Sequence, residues 1–480
     1  MENLKRATIT NTIWKFMERV LAQIISLVVS IILARLLTPD EYSVVGVVII
    51  FFSFANVIIS GGLNTAIIQK KDADKEDYSS VLYLSVAISV ILYFILFFAA
   101  DFISKIYNPA FLVPIITVMA RSLPVYAIKS VYCAYISATL QFRKFFWSTL
   151  GGTLVSAVVG IAMALNGAGA WALVAQQVTN TVIDTFILVL TTRMKLVLSV
   201  SFSKLKILFN YGWKVFVSSL LGTVYNEAIP LFIGIRFTPA NLSFYTKGKN
   251  LPTLISTTTT STLSAVLFPV LAKCQDDREK LLQYTRQFIK VSSYIVFPLM
   301  LGFLAVSDNF IRVLLTERWL NAAYYIKVFC IVSMFDMIHI GNCETIKAMG
   351  RSDIFLIMEI IKKTSYFIII ALFMFFGKTP EALALASVAC TGVAMIVNSI
   401  PNRKLIGYSY STQIRDILPN LIIAIIMCAV VLFVGKFQLN TLLLLVLQVA
   451  VGAITYLLLS FLTRNENFKY LLKTIKEERK

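Results

Sequence analysis

Long apolar runs recur along this chain, separated by short polar turns where Lys, Arg, Asp and Asn collect. With about 20 apolar residues needed to cross a bilayer core, fourteen runs qualify: 12–37, 42–68, 78–100, 111–138, 145–166, 169–192, 207–236, 241–271, 282–306, 320–346, 354–377, 381–402, 416–435 and 440–462. Each predicts a transmembrane helix, because a backbone in lipid must close its own hydrogen bonds. Connections of at most about 14 residues leave no room for a soluble catalytic domain.

The pattern repeats. Trp14-Lys15 returns as Trp213-Lys214, 199 residues later, and Thr38-Pro39 as Thr238-Pro239, 200 residues later. Downstream, Gln69–Asp72 corresponds to Lys273–Asp276, Gln141–Lys144 to Gly350–Asp353, and Asn166–Leu173 to Phe376–Leu383. Spans one to six therefore match spans seven to twelve in the same orientation, a parallel repeat about an axis along the membrane normal. The expected fold is an all-α polytopic membrane protein of 14 transmembrane helices, with two six-helix lobes and a C-terminal helix pair. The boundaries are an N-terminal lobe at 1–192, a cytoplasmic linker at 193–206, a C-terminal lobe at 207–405, and spans thirteen and fourteen with a basic tail at 406–480.

Composition agrees: 58% of residues are hydrophobic, 14% charged, and mean hydropathy is +0.80, where soluble domains carry about 25% charge. The net charge of +19 lies in small clusters between apolar runs rather than in one patch, which argues against nucleic acid. It follows topology instead. Twenty-five Lys and Arg fall in alternate loops and tails, among them Lys70, Arg143, Arg193, Lys204, Lys273, Lys347 and Arg403, against seven in the others. Since cytoplasmic loops collect basic residues, both termini are expected inside. Met1–Arg6 leads into an apolar run without a small-residue cleavage motif, so the first span reads as retained. Six scattered cysteines and one histidine indicate neither a disulfide framework nor a metal site. With no nucleotide-binding loop and no hydrolase motif, nothing points to an enzyme or to transport driven by the chain's own ATP hydrolysis.

Charges inside spans cost roughly 2.5–3.5 kcal/mol each at the helix centre, so they face a cavity or a partner. Lys15, Glu18 and Arg19 share one face of span one, and Lys214 lies about 10 Å into span seven. Lys247 and Lys249 enter span eight from its other end, beside Tyr245, Thr246, Asn250 and the hydroxyl run Ser256–Thr262. Such a helix is buried or lines water. One reading is snorkelling to the headgroups; the other is a cationic cavity between the lobes that holds a diphosphate through Arg19, Lys214, Lys247 and Lys249. Glu227, Asp336 and His339 are candidates for ion coupling, with Asp336 and His339 three residues apart. Asp184, Glu227, Asp336, His339, Glu344 and Glu359 are the acidic and titratable groups within spans, and some of them read instead as structural partners of Lys327, Lys362 and Lys363; Arg121 and Lys129 lie near one face of span four. Pro114, Pro124, Pro230, Pro252, Pro269 and Pro298 are helix breakers, read as structural kinks or as hinges.

Ala34–Tyr42, Gly61–Lys71, Phe244–Pro252 and Val266–Leu271 together resemble the polysaccharide and O-antigen flippases, Wzx-type and colanic-acid-exporter-like, of the multidrug/oligosaccharidyl-lipid/polysaccharide exporter superfamily. The resemblance covers nearly the whole chain; Tyr42-Ser43 departs from the family's usual Phe-Gly. It implies a multi-pass protein of the bacterial cytoplasmic (inner) membrane that moves an undecaprenyl-diphosphate-linked oligosaccharide outward by alternating access of a V of two lobes. The implied partners are that lipid-linked oligosaccharide, membrane lipids and the polysaccharide polymerase machinery. No cofactor is implied, and coupling to H+, Na+ or the membrane potential is open. The rivals are a cation-coupled multidrug exporter, whose cargo prefers an anionic lumen, and a non-transporting scaffold of an assembly complex.

Overall fold

The computed structural model describes residues 2–70, 72–107, 112–139 and 141–470, with side chains at all of these except 2–13, 15, 16, 19, 261–266, 268, 269 and 352. Among the described residues the regular structure is helical throughout. In chain order the helices are α1 (Glu2–Leu36), α2 (Pro39–Ser60), α3 (Leu63–Gln69), α4 (Lys75–Tyr107), α5 (Leu112–Ala120), α6 (Leu123–Ala138), α7 (Phe142–Leu165), α8 (Ala170–Thr192), α9 (Phe202–Arg236), α10 (Pro239–Lys273), α11 (Arg278–Leu314), a 3-10 turn at Glu317–Trp319, α12 (Ala322–Ser333), α13 (Asp336–Ala348), α14 (Ser352–Phe376), α15 (Pro380–Leu405), α16 (Tyr410–Val434) and α17 (Thr441–Leu462).

Each predicted run coincides with one helix or one interrupted pair. Among the described residues, eleven are long and apolar enough to cross a membrane. Of the other three, α1 has the described apolar stretch Val20–Leu36, α10 includes side chains at 261–266, 268 and 269 that lie outside the described residues, and α14 carries Glu359, Lys362 and Lys363. The surface is apolar: Phe98 is 76% and Phe375 81% exposed, which suits lipid rather than water.

Polar side chains set the helix ends. Thr38 and Glu41 form a capping box at the start of α2, with the Thr38 N–H donating to Glu41 Oε2 at 2.7 Å and Pro39 in the first turn, where its missing N–H leaves no helix bond unmade. The side chains of Asp277, Thr379 and Ser409 each accept from a backbone N–H in the first turn of α11, α15 and α16. The prolines act differently from one another. Pro124 sits in the first turn of α6, just after the interruption at Arg121-Ser122. In contrast, α9, α10 and α11 continue through Pro230, Pro252, Pro269 and Pro298. The two copies of the repeat break alike: α1 and α9 each end three residues before the proline that opens the next helix, Pro39 and Pro239, and span four and span ten are both interrupted, at 121–122 and 334–335.

By packing, the chain divides into two compact units, 1–243 and 244–480. Helix α9 therefore packs with the helices that precede it. In this first unit Leu63, Ile67, Tyr78, Val131, Leu205 and Leu208 form a buried cluster joining α3, α4, α6 and α9. Beside it Gly62 lies against Gly212. A Cβ on Gly62 would overlap the Gly212 carbonyl, and its φ of +70° is a left-handed conformation that favours glycine.

The second unit is tied together by polar groups. Asp416 of α16 is buried and accepts from Arg286 Nε (2.5 Å) and Nη2 (2.7 Å) of α11 and from the Tyr408 hydroxyl (3.0 Å). Asn420 donates to the Lys290 carbonyl and to Ser293, and Tyr456 of α17 donates to the Tyr294 carbonyl at 2.7 Å. The C-terminal helix pair is thus bonded along α11. Asp416→Ala strands Arg286 and Tyr408 and is expected to cost about 1.5–3 kcal/mol, read as a lower Tm in detergent. Asp353→Ala, which removes an exposed pair with Arg351, is expected to change stability by less than about 1 kcal/mol.

Candidate functional site

In the first unit the coil between α8 and α9 is strapped onto the start of α4. Ser79 and Ser80, both fully buried, accept from the backbone N–H of Val197 and Ser201 at 2.9 Å each. Ser199 donates to Glu76 at 3.2 Å. Lys204, in the first turn of α9, bridges Asp74 (2.6 Å) and Glu76 (2.7 Å). Asp74 also caps α4 reciprocally with Asp77, whose carboxylate binds Lys70 at 2.6 Å. The hydrogen bond from Lys204 holds the Asp74 carboxyl at about 2, below its ordinary 3.8. Next to the strap lies a cavity of about 780 Å³, lined in part by Asp74, Glu76, Tyr135, Arg193 and Lys195. Deeper in the same unit, Lys129 of α6 pairs with the buried Asp184 of α8 at 2.5 Å.

In the second unit two polar regions meet at α13. On one side is α10: the Ser256 hydroxyl donates to Asp336 at 2.5 Å. Above it Gly248 lets α10 pack on α12, where a Cβ would lie 2.9 Å from the Ala322 carbonyl oxygen. The Lys247 ammonium stands 5.7 Å from the Trp319 ring centre, a cation–π contact. On the other side α13, α14 and α15 enclose a cleft of about 280 Å³ lined by His339, Glu344, Lys347, Glu359, Lys362 and Asn398, among others. Lys362, 7% exposed, pairs with Glu359 at 2.5 Å. His339 Nδ1 lies 3.2 Å from Asn398 Nδ2. Asp336 and His339, one helical turn apart, thus bond to different neighbours, α10 and α15.

The polysaccharide biosynthesis protein family matches residues 32–324, more than half of the chain. The chain belongs to this family. The succinoglycan biosynthesis transport protein ExoT of Rhizobium meliloti (strain 1021) is 23% identical over 460 residues, which cover 92% of this chain and 90% of that protein. The teichuronic acid biosynthesis protein TuaB of Bacillus subtilis (strain 168) is 24% identical over 475 residues, covering 96% of each. Among solved structures, the lipid II flippase MurJ in an inward closed conformation matches with a TM-score of 0.73 at 14% identity, over 95% of this chain and 99% of that one. An inward-facing multidrug resistance transporter of the MATE family matches with a TM-score of 0.64 at 15% identity, over 82% and 98%. The protein is a polytopic membrane transporter of the multidrug/oligosaccharidyl-lipid/polysaccharide superfamily, not an enzyme.

In this transporter the predicted site residues fall on α1 and α9 in the first unit and on α10 and α13 in the second. Lys214 is exposed on α9, two residues past the Gly62 contact; Glu227 is half-buried one turn before Pro230; Lys247 and Lys249 are half-buried on α10. The Arg19 side chain, like that of Lys15, lies outside the described residues. Lys362 takes Glu359 as expected, whereas Lys327 pairs with Asp308 at 2.6 Å and Asp184 with Lys129. Sequence reasoning missed the strap and Asn398. The strap had a signal, the acidic run Asp72–Asp77 followed by two serines, each able to bond a passing backbone. Asn398 had none, because an asparagine in an apolar helix reveals its partner only in three dimensions.

The strap's ionic part has a defined pH dependence. A carboxyl whose folded pKa is depressed contributes above its unfolded value and loses that contribution as pH falls through the folded one. The Asp74–Lys204 contribution is therefore complete above about pH 4, declines toward about pH 2, and is flat near neutrality. Lys204→Met is expected to raise amide exchange at 193–201 several-fold at neutral pH. In the unmodified protein, protection there should stay constant from about pH 5 to about pH 8 once intrinsic rates are removed.

Proposed function

We propose that the transporter moves an undecaprenyl-diphosphate-linked oligosaccharide repeat unit from the inner to the outer leaflet of the cytoplasmic membrane by alternating access, for surface polysaccharide synthesis. The observation that carries this reading is α10. It carries Lys247, Lys249 and the hydroxyl run Ser256–Thr262, and it is bonded through Ser256 to Asp336. Ammonium groups on a polar, membrane-embedded helix suit a diphosphate, which they bind by charge-assisted hydrogen bonds. The relatives' names, succinoglycan transport and teichuronic acid biosynthesis, support a surface glycan as cargo.

In this reading all fourteen helical runs span the membrane with both termini inside. The lobes are 1–192 and 207–405, joined by the linker 193–206 and followed by the helix pair and tail at 406–480. The matched breaks in spans four and ten support that division by ancestry, while packing groups α9 with the first unit. Arg19, Lys214, Lys247 and Lys249 hold the diphosphate; Glu227, Asp336 and His339 serve ion coupling; and the exported unit passes to the polymerase machinery. A drug-exporting reading fits less well, since an organic cation prefers an anionic lumen and this helix is cationic.

Lys249→Ala, and separately Arg19→Ala, are expected to abolish surface polysaccharide with protein level and insertion unchanged, while the lipid-linked oligosaccharide accumulates at the inner leaflet. Normal export by both variants would overturn the diphosphate assignment.

A further inference from the structure

We infer that the cavity beside the strap binds the phosphate headgroup of an anionic phospholipid, supplied by the leaflet against which the coil at 193–201 lies. The inference goes beyond the transport reading above and uses none of the residues assigned there to the diphosphate or to ion coupling.

The cavity measures about 780 Å³, inside the range of roughly 300–1,000 Å³ that small-molecule sites occupy. Its lining comes from the start of α4, the end of α6 and the coil that follows α8. Charge is unevenly engaged among them. The two carboxylates, Asp74 and Glu76, are both bridged by Lys204, and Glu76 also accepts from Ser199. The lining cations are free of such partners: Lys75, Arg193 and Lys195 make no ion pair among the described residues. Lys75, Arg193, Lys195 and Lys204 thus face Asp74 and Glu76, four cations against two carboxylates. Lys144 adds another cation close by, donating to the carbonyl of Thr192, the last residue of α8, at 3.4 Å. The C-terminal end of α8 attracts Lys144, and the bias of inner loops toward Lys and Arg explains the sign of the others. Neither accounts for a cavity lined by unengaged cations. Arg193 itself has a φ of +46°, at a place after a helix where glycine is the usual residue. A long cation is kept there although its side chain is sterically disfavoured.

A phosphate is the anion that suits this lining. The Arg193 guanidinium offers two parallel N–H groups to two phosphate oxygens and Lys195 a point charge, and such charge-assisted bonds are stronger than neutral ones. Basic pockets between membrane helices at the inner face are places where phospholipid headgroups bind. The coil gives the reason for a lipid rather than a free ion. Leu198 is 96% and Phe202 81% exposed, on the same segment as the two cations, and basic residues interleaved with bare apolar ones mark a segment lying in the membrane interface. Tyr78 and Tyr135, packed edge to face with ring centres 5.1 Å apart, add apolar ring surface for the glycerol carbons. A headgroup held by Arg193, Lys195 and Lys75 joins the coil to α4, beside the bonds that Ser79 and Ser80 already make. Occupancy therefore opposes the opening of the coil.

Amide exchange at 193–201 reads that occupancy, because a ligand that binds only the closed coil slows exchange by the factor 1 + [L]/Kd. In nanodiscs of phosphatidylcholine with about one-third phosphatidylglycerol, the full-length protein is expected to exchange there at least about threefold more slowly than in phosphatidylcholine alone. Arg193→Gly combined with Lys195→Gln keeps the left-handed turn and removes two cations. This variant is expected to lose the difference between the two membranes while its exchange in phosphatidylcholine stays close to that of the unmodified protein. Inorganic pyrophosphate added to phosphatidylcholine nanodiscs separates the sources: little slowing is expected, and slowing equal to that given by phosphatidylglycerol would overturn the lipid assignment in favour of a soluble phosphate. Equal exchange in the two membranes, or a difference that persists in the double variant, would overturn the site; the first comparison needs no variant to fold. None of these readouts depends on export, so normal export by Lys249→Ala and Arg19→Ala would leave them as they are.

Discussion

A charge placed among apolar helices must find an opposite charge, a hydrogen-bonding group or water, and the organisation of this protein follows from how each one does so. Lys129 finds Asp184, Lys362 finds Glu359, and Arg286 finds Asp416. Each pair joins two turns or two helices at one register, because only there do both groups meet. Breaking a buried pair is far more damaging than never having had it. Such pairs are therefore weak evidence of added stability and better evidence of a fixed helix register. The apolar surface around them has no such specificity: Phe98 and Phe375 could face lipid in many rotations.

That difference explains what could be read from the sequence. Helix positions were legible because hydrophobic length has no competing explanation, and the turns because Thr38-Pro39 and its later copy carry their own capping chemistry. Pairing was only half legible. Lys362 and Glu359 are three residues apart on one helix, so spacing alone joins them. Asp184 and Lys129 sit on different helices, 55 positions apart, and nothing local favours Lys129 over Lys327 as its partner. The candidate site was legible as residue types and not as a constellation. Lys247 was readable as a membrane-embedded cation, but its contact with Trp319 depends on the 3-10 turn between α11 and α12.

Helix α9 shows a similar tension between descent and packing. Its sequence copies α1, which marks the start of a second repeat, yet it packs with α2, α3 and α4. Beside the buried cluster of Leu205 and Leu208, two contacts of different character hold it there. The Gly62–Gly212 approach is backbone against backbone and tolerates no side chain. The strap is polar, built from two buried serine hydroxyls and one bridging lysine.

The left-handed turn at Gly61-Gly62 separates α2 from α3, whereas α10, the copy of both, runs unbroken for 35 residues. Duplication usually yields two halves with the same mechanics. Here one copy is broken by a left-handed turn where the other is continuous. The two copies have kept the spacing of the turn that precedes them and differ in the continuity of the helix that follows it.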